Sequence, residues 1–427
     1  MKISSLAAYQ IYDSRGNPTI EAEVSLQNGI RGRGLVPSGA STGQFEALEM
    51  RDGDPQRWRG KSVLRAIEHV HREIAPAIIG RDVTALRELD QALIDLDGSP
   101  NKSRLGANAI LAVSMAIADA GARAHGQPLF AYLGGPEATL LPLPEIQIIG
   151  GGAHAGGRLD IQDYMLIANG AKSYPESLEI TFNVYHTAGD ILRERGLYRG
   201  IADEGGYWPE FQTNEAPLEL LVEAIARAGY RPGIDASISL DIAASNLFDQ
   251  KTGRYVFRAE EREFSSRELG DLIIGWCDRY PIISVEDPMA DTDWAGWEHI
   301  TGALRRRIQL VGDDLFTTNA ARIEQGIARG IANSVLIKLN QIGTVTETVD
   351  AIRLTQMAGW RPIVSARSGE TEDVFIAHLA VATNAGQLKV GSFARSERMA
   401  KWNEVLRIER ALGPRASFIG GHVLSRR

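Results

Sequence analysis

Cysteine is almost missing from this 427-residue chain: Cys277 stands alone, so neither an intrachain disulfide nor a cysteine-based zinc site can form. Lysine is scarce too. Of 46 basic residues only 8 are lysines, against 38 arginines. Arginine keeps its proton while a buried lysine can lose it, so every lysine near a reactive position becomes a candidate base. Positive charge is also outweighed, the net charge being −8. That balance disfavours non-specific nucleic-acid binding and leaves any anion site to be built locally. No run of about 18 apolar residues is present that could cross a bilayer. The opening MKISSLAAYQIYDSRGNP lacks the apolar stretch and small-residue cleavage site of a secretory leader. The cytoplasm is therefore the expected compartment, with neither nucleic acid nor membrane as partner.

What is there suggests two domains, a large barrel or open sheet with a smaller attached unit. ISSLAAYQIYD and TIEAEVSLQN read as strands around the turn SRGNP, and RGRGLVPSGASTGQFEALEMRDGD runs on into a loop rich in glycine and serine. Helical patterns follow in KSVLRAIEHVHREIAPAII, TALRELDQALIDLDG and GANAILAVSMAIADAGARAHG. The last is apolar or small on nearly all sides, which predicts burial. Strands followed by helices make an α+β unit over residues 1–136.

Beyond PLFAYLGGPEATLLPLP, residues 137–427 change pattern to short apolar runs, each followed by a helix-length segment. The clearest are SISLDIAAS, PIISVEDP, IQLVGDDLF, SVLIKLNQIG, RPIVSARSG and QLKVGSF. Each carries a charged residue towards its end: Asp241, Glu286, Asp313, Lys338, Arg367 and Lys389. Their successive separations are 45, 27, 25, 29 and 22 residues, close to one strand–helix unit of a barrel, eight of which take about 250 residues. Apolar runs fit parallel strands covered on both faces. A closed barrel brings strand ends to one mouth; buried salt bridges in a doubly wound sheet are the alternative.

Asp241, Glu286 and Asp313 would form a three-carboxylate cluster that cannot stay ionised without a counter-ion. With oxygen donors and no cysteine, Mg²⁺ is the favoured ion. Lys338 and Lys389 face it from later strands. Desolvation and neighbouring cations can push such a lysine towards neutrality, letting it remove the proton beside a metal-bound carboxylate. ADEGGYWPE adds Glu204, and IIGGGAHAGGRLDIQDYML adds His154 and Asp163. Glycine-rich stretches of this kind suit loops that close over reactive anions. In IVSARSGETED, Arg367 among small residues at a strand end invites an anion.

YDSRGNPT, PSGASTG, EALEMRDGD, NKSRLGANAILAVS, DEGG, SVEDP, VGDDLF, LIKLNQIGTVTET, RSGETED and RSERMAKWNEVLRIE together resemble the enolase family over essentially the whole chain. The resemblance implies an α/β protein: an N-terminal α+β capping domain followed by an enolase-type modified (β/α)8 barrel. It implies that Asp241, Glu286 and Asp313 hold one Mg²⁺, while Ser41 helps hold a second that arrives with substrate. It makes Lys338 the base and Glu204, partnered by Asp163, the acid that assists loss of hydroxide. Lys389 and the metals would grip the substrate carboxylate, and Arg367, Ser368 and His154 its phosphate. Gln162, Ala366, Glu286 and Asp313 complete the expected substrate contacts. The substrate would be a small phosphorylated or phosphonylated hydroxy acid, and the assembly a homodimer or higher homo-oligomer.

Four positions depart from the family pattern. Ala366 stands where enolases have histidine, Asp163 where they have glutamate, Gly150 where they have asparagine, and Trp208 at a normally small position. Placed around one pocket, these changes favour an altered substrate: carboxyphosphonoglycerate, dehydrated to carboxyphosphonoenolpyruvate. Ordinary conversion of 2-phosphoglycerate to phosphoenolpyruvate is the alternative, and a non-catalytic binding scaffold is a third reading.

Overall fold

The computed structural model describes residues 1–39 and 43–424, without the side chains of Ala153 and His154. The N-terminal strands β1 (Ile3–Tyr12), β2 (Pro18–Leu26) and β3 (Arg31–Leu35) form an antiparallel sheet in that order. Along β2, Ile20, Ala22, Val24 and Leu26 are buried. This is the period of two that a sheet with one covered face requires. Asp13 ties the β1–β2 turn by accepting the amides of Arg15 at 2.9 Å and Asn17 at 2.8 Å.

The helix Ala107–Ala124 covers that sheet and is buried nearly all round, as its composition predicts. Close approach needs the glycines of β3. A Cβ at Gly32 would stand 2.1 Å from the amide nitrogen of Ala120, and one at Gly34 would stand 2.4 Å from the carbonyl oxygen of Ala112. The segment expected as one helix over KSVLRAIEHVHREIAPAII runs from Leu64 to Ile78 but widens into a π turn at Val70–Ile74.

Eight strands close the barrel: β4 (Leu143–Gly150), β5 (Asp163–Ile167), β6 (Ser237–Asp241), β7 (Ile282–Glu286), β8 (Gln309–Gly312), β9 (Ser334–Ile337), β10 (Arg361–Ser365) and β11 (Gln387–Ser392). β11 pairs back onto β4 and seals the ring. All six apolar runs singled out in the sequence become strands of it. The parallel pattern breaks once, because β5 is antiparallel to both β4 and β6. A parallel return needs a crossover of a dozen or more residues, usually a helix. Here residues 151–162 form a loop whose only helical piece is the short turn Gly152–Ala155, so the chain doubles straight back. Asp163, at the start of β5, thereby pairs with Gly150 and Asp241, at the ends of β4 and β6. An antiparallel strand delivers its first residue to the rim where the others deliver their last.

Replacing Gly34 by alanine should destabilise the protein by about 1–3 kcal/mol, because the helix backbone cannot give way. Gly275, in the helix Ser266–Arg279, has nothing within 4 Å of the point a Cβ would occupy; Gly275→Ala should instead stabilise by about 0.4–1 kcal/mol. Urea unfolding of the two variants is the measurement; equal effects would contradict the packing.

Candidate active site

Strands bearing carboxylates at this rim are followed by residues with left-handed backbone that are not glycine. Ala243 (φ 50°) follows β6, Asp287 (φ 40°) follows β7, and Thr317 and Thr318 (φ 45° and 55°) follow β8. Such a conformation costs about 1–3 kcal/mol per residue unless its surroundings fix it. Hydrogen bonds supply the fixing. Asp241 Oδ1 accepts the amide of Ala243 at 3.0 Å. Asp287 accepts the amides of Asp313 at 3.0 Å and Asp314 at 2.7 Å. Thr318 Oγ1 accepts the amide of Lys338 at 2.9 Å and donates to Gln341 at 2.8 Å.

Inside the rim, opposite charges interleave. Lys389 Nζ lies 2.9 Å from Asp241 Oδ2, 2.7 Å from Glu286 Oε2 and 3.9 Å from Asp163 Oδ2. Lys338 Nζ lies 2.5 Å from Asp313 Oδ2, whose Oδ1 accepts from Gln341 at 2.8 Å. Gln162 donates to Asp241 Oδ2 at 3.0 Å. Lys389 and its three carboxylates are almost fully enclosed; the Lys338 side chain, at 13% exposure, is the more open ammonium. Arg367 donates to Glu46 at 2.9 Å and 3.3 Å and to Asn340 at 3.0 Å.

Burial and charge compete at each titrating group. Burial lifts the Glu286 carboxyl well above its usual range, and the neighbouring Asp241 charge adds to the effect. Asp287 is lifted similarly by burial and Asp314, and Asp314 reaches about 7 through burial and Asp313. For Asp313 burial also works upward, but the charge and hydrogen bond of Lys338 prevail and hold it low. Burial alone would lower both lysines. The facing carboxylates outweigh it, raising Lys338 and raising Lys389 well above the ordinary lysine value. Without a cation beside it, Lys338 therefore keeps its proton against Asp313; burial acts towards neutrality, and a cation that neutralises Asp313 would act in the same direction.

The cleft gathers Gln162, Asp163, Glu204, Asp241, Asp313, Lys338, Ala366, Arg367, Ser368 and Lys389 in its walls. Glu286 lies against Lys389 just below. Glu204 arrives on the turn between the short strands Tyr198–Ile201 and Tyr207–Pro209, its carbonyl accepting the Ser392 amide at 2.9 Å. Ser41 lies outside the described residues. His154 falls in the turn Gly152–Ala155, and its side chain is likewise outside the description. Of the four departures, only Ala366 and Asp163 line the cleft. Gly150 does not line it: a Cβ there would meet the Ala202 side chain at 2.7 Å. Trp208 also lies outside the cleft walls, with Arg158 over its ring at 5.5 Å. Ala366 and Asp163 thus face the cleft directly, whereas Gly150 stands beside it, paired with Asp163, and Trp208 lies just beyond the turn that carries Glu204.

The family model "Enolase, N-terminal domain" matches residues 3–133, and "Enolase, C-terminal TIM barrel domain" matches residues 138–427. Enolase 1 of Desulfitobacterium hafniense (strain Y51) is 54% identical over 418 residues, covering 98% of this chain and 95% of that protein. This chain belongs to the enolase family. As a family member it is a hydro-lyase, an enolase-type dehydratase that acts on a small phosphorylated acid and depends on Mg²⁺. No described helix is long and apolar enough to cross a membrane.

Enolase chemistry needs oxygen donors for Mg²⁺, and Asp241, Glu286 and Asp313 offer nothing else. Glu286 Oε1 is buried without a hydrogen-bond partner, an orphaned acceptor that a cation would satisfy. The residues fit the ion. A different trio, Asp287, Asp313 and Asp314, is the one whose oxygens all lie within 4.8 Å of one another among the described residues. Asp287 there already braces two amides, so it serves as a girder of the loop. Asp241 and Glu286 are instead bridged by the ammonium of Lys389.

Sequence reasoning assigns no role to Glu46, Asn340, Gln147 or Gln341. Glu46 opens EALEMRDGD and Asn340 sits within LIKLNQIGTVTET, yet nothing local says that Glu46 meets an arginine 321 positions away. Lys389→Met should destabilise the enolase fold by about 3–5 kcal/mol, because it leaves buried Asp241 and Glu286 facing each other uncompensated. Urea unfolding without added metal checks this; an unchanged midpoint would mean that the carboxylates carry little charge.

Proposed function

We propose that this enolase dehydrates 2-phosphoglycerate to phosphoenolpyruvate, the alternative among the two substrate readings drawn from the sequence. The juxtaposition of Lys338 with Asp313, beside the Lys389 cluster and across the cleft from Glu204, carries the reading. High identity to a protein named Enolase 1 supports it. The phosphorus-modified analogue has no comparison in its favour.

In this reading Lys338 takes the proton next to the substrate carboxylate. Asp241, Glu286 and Asp313 hold the first Mg²⁺, and Ser41 contributes to a second. The ions supply positive charge where the enediolate-like anion develops. Lys389 attracts the carboxylate. Arg367, oriented by Glu46 and Asn340, takes the phosphate together with Ser368 and His154. Glu204, with Asp163 beside Lys389, protonates the departing hydroxide, while Gln162 keeps Asp241 in place. A unit boundary at residues 136 and 137, a homodimer and a cytoplasmic setting belong to the same proposal.

One observation keeps the analogue as a second reading. Ala366 lies in the cleft wall beside Arg367 and ends at its Cβ, leaving room for bulk or charge on the phosphorus side. The Mg²⁺-dependent appearance of phosphoenolpyruvate from 2-phosphoglycerate tests the two. The first reading expects kcat/KM of about 10⁵ M⁻¹s⁻¹ or more. It also expects Lys338→Ala to lower kcat by about 10²–10⁴, and Ala366→His to leave turnover equal or improved. Negligible turnover of 2-phosphoglycerate beside rapid dehydration of carboxyphosphonoglycerate, lost in Ala366→His, would reverse the order.

A further inference from the structure

Gln147 lies on β4 in the barrel wall, 1% exposed, and the mechanism above gives it no part. Both ends of its amide are nevertheless engaged within the site. Oε1 accepts the amide N–H of Gly206 at 2.8 Å, and Nε2 donates to Asp163 Oδ1. The orientation is fixed by chemistry, because a backbone N–H can only donate and so must face the amide oxygen. That leaves the NH₂ group to face Asp163, where it can only donate.

The two partners belong to different elements. Asp163 begins the antiparallel strand β5 and has its other oxygen 3.9 Å from Lys389. Gly206 closes the turn that presents Glu204. That turn is pressed onto the amide: a Cβ at Gly206 would stand 2.4 Å from Gln147 Oε1. Its remaining backbone is clamped by Tyr185 Oη, which donates to the Gly205 carbonyl at 3.0 Å, and by the Ala202 amide, which donates to the Gly206 carbonyl at 2.8 Å. One side chain therefore couples the position of the Glu204 turn to the direction of the Asp163 carboxylate.

We propose that Gln147 is a positioning residue that sets the Asp163–Glu204 pair, so that loss of hydroxide depends on it while removal of the α-proton by Lys338 does not. The inference rests on the proposed conversion of 2-phosphoglycerate. Proton removal and hydroxide loss are separate bond-breaking steps, so they can be read separately: the first as exchange of the substrate α-proton with deuterated solvent, the second as formation of enolpyruvate product.

The full-length Mg²⁺-loaded protein is compared with Gln147→Met, which keeps the length and removes both hydrogen bonds, and Gln147→Glu, which keeps an acceptor for Gly206 but turns a second carboxylate towards Asp163. Both variants should lose about 10–10² in kcat, with KM for 2-phosphoglycerate within about 3-fold of wild type and α-proton exchange retained within about 3-fold. Thermal melts accompany the assays, and a variant that unfolds is replaced in the comparison by the other. Full kcat in a folded variant overturns the positioning role alone. Exchange falling in parallel with turnover also overturns it, since Gln147 would then support the whole barrel mouth. Absence of both exchange and turnover in the wild type overturns the substrate reading itself, and this inference with it.

Discussion

Crowding of acidic groups at the barrel mouth is the constraint from which the rest of the structure follows. Asp163, Asp241, Glu286, Asp287 and Asp313 converge on a space with little access to water, with the half-buried Asp314 at its edge, where like charges repel at low effective dielectric. Two lysines answer part of that repulsion. Lys389 spans Asp241 and Glu286, Lys338 caps Asp313, and backbone amides take up Asp287. What the lysines and amides do not satisfy is the buried Oε1 of Glu286. A site that is compensated yet short of one cation is suited to bind a divalent ion and, through it, an anionic substrate.

The barrel serves that arrangement through its one irregular strand. If β5 ran parallel with a helical crossover, Asp163 would start at the opposite end of the barrel, away from Lys389. The loop 151–162 in place of a helix costs the regular strand–helix alternation and gains a carboxylate at the rim. The left-handed residues after β6, β7 and β8 act in the same direction, because each ends a strand abruptly behind its carboxylate and is fixed by a hydrogen bond, Ala243 to Asp241 itself and Asp287 and Thr318 to the neighbouring segments. Strain is stored where the chemistry is, and the regular core of Val311, Leu336 and Ile363 beneath supports it.

Much of this is legible in the sequence because strand ends announce themselves: an apolar run of four or five residues followed by a charged one, repeated at one strand–helix interval. Asp241, Glu286, Asp313, Lys338 and Arg367 are readable in that way. Lys389 stands out by its rarity although it sits in the middle of β11, paired with Glu145. Contacts between distant segments have no such signal. Glu46 reaches Arg367 from the N-terminal unit, and Gln147 looks like any polar residue in a mostly apolar strand. The placement of Trp208 is equally hidden, since proximity in sequence to Glu204 does not say which way a side chain turns. The protonation of Lys338 escapes the sequence for a related reason. Desolvation can be guessed from an apolar neighbourhood, whereas a carboxylate at 2.5 Å depends on two strands being in register.

Ala366 sharpens what the site selects. Its amide is spent on the Lys389 carbonyl at 2.9 Å, and its side chain has no polar atom, so this stretch of cleft wall can exclude water but cannot recognise an oxygen. In the proposed reading, recognition of the phosphate then falls on Arg367 with Ser368 and His154, and Glu46 already holds Arg367 through two contacts. An incoming phosphate has to compete with that carboxylate for the same guanidinium. Competition of this kind weakens ground-state binding more than it weakens a transition state in which the metal-bound end of the substrate carries the growing charge. In that reading the alanine and the Glu46 bridge together shift discrimination away from the phosphorus end of the substrate and onto the carboxylate end, where Lys389 is held by Asp241 and Glu286.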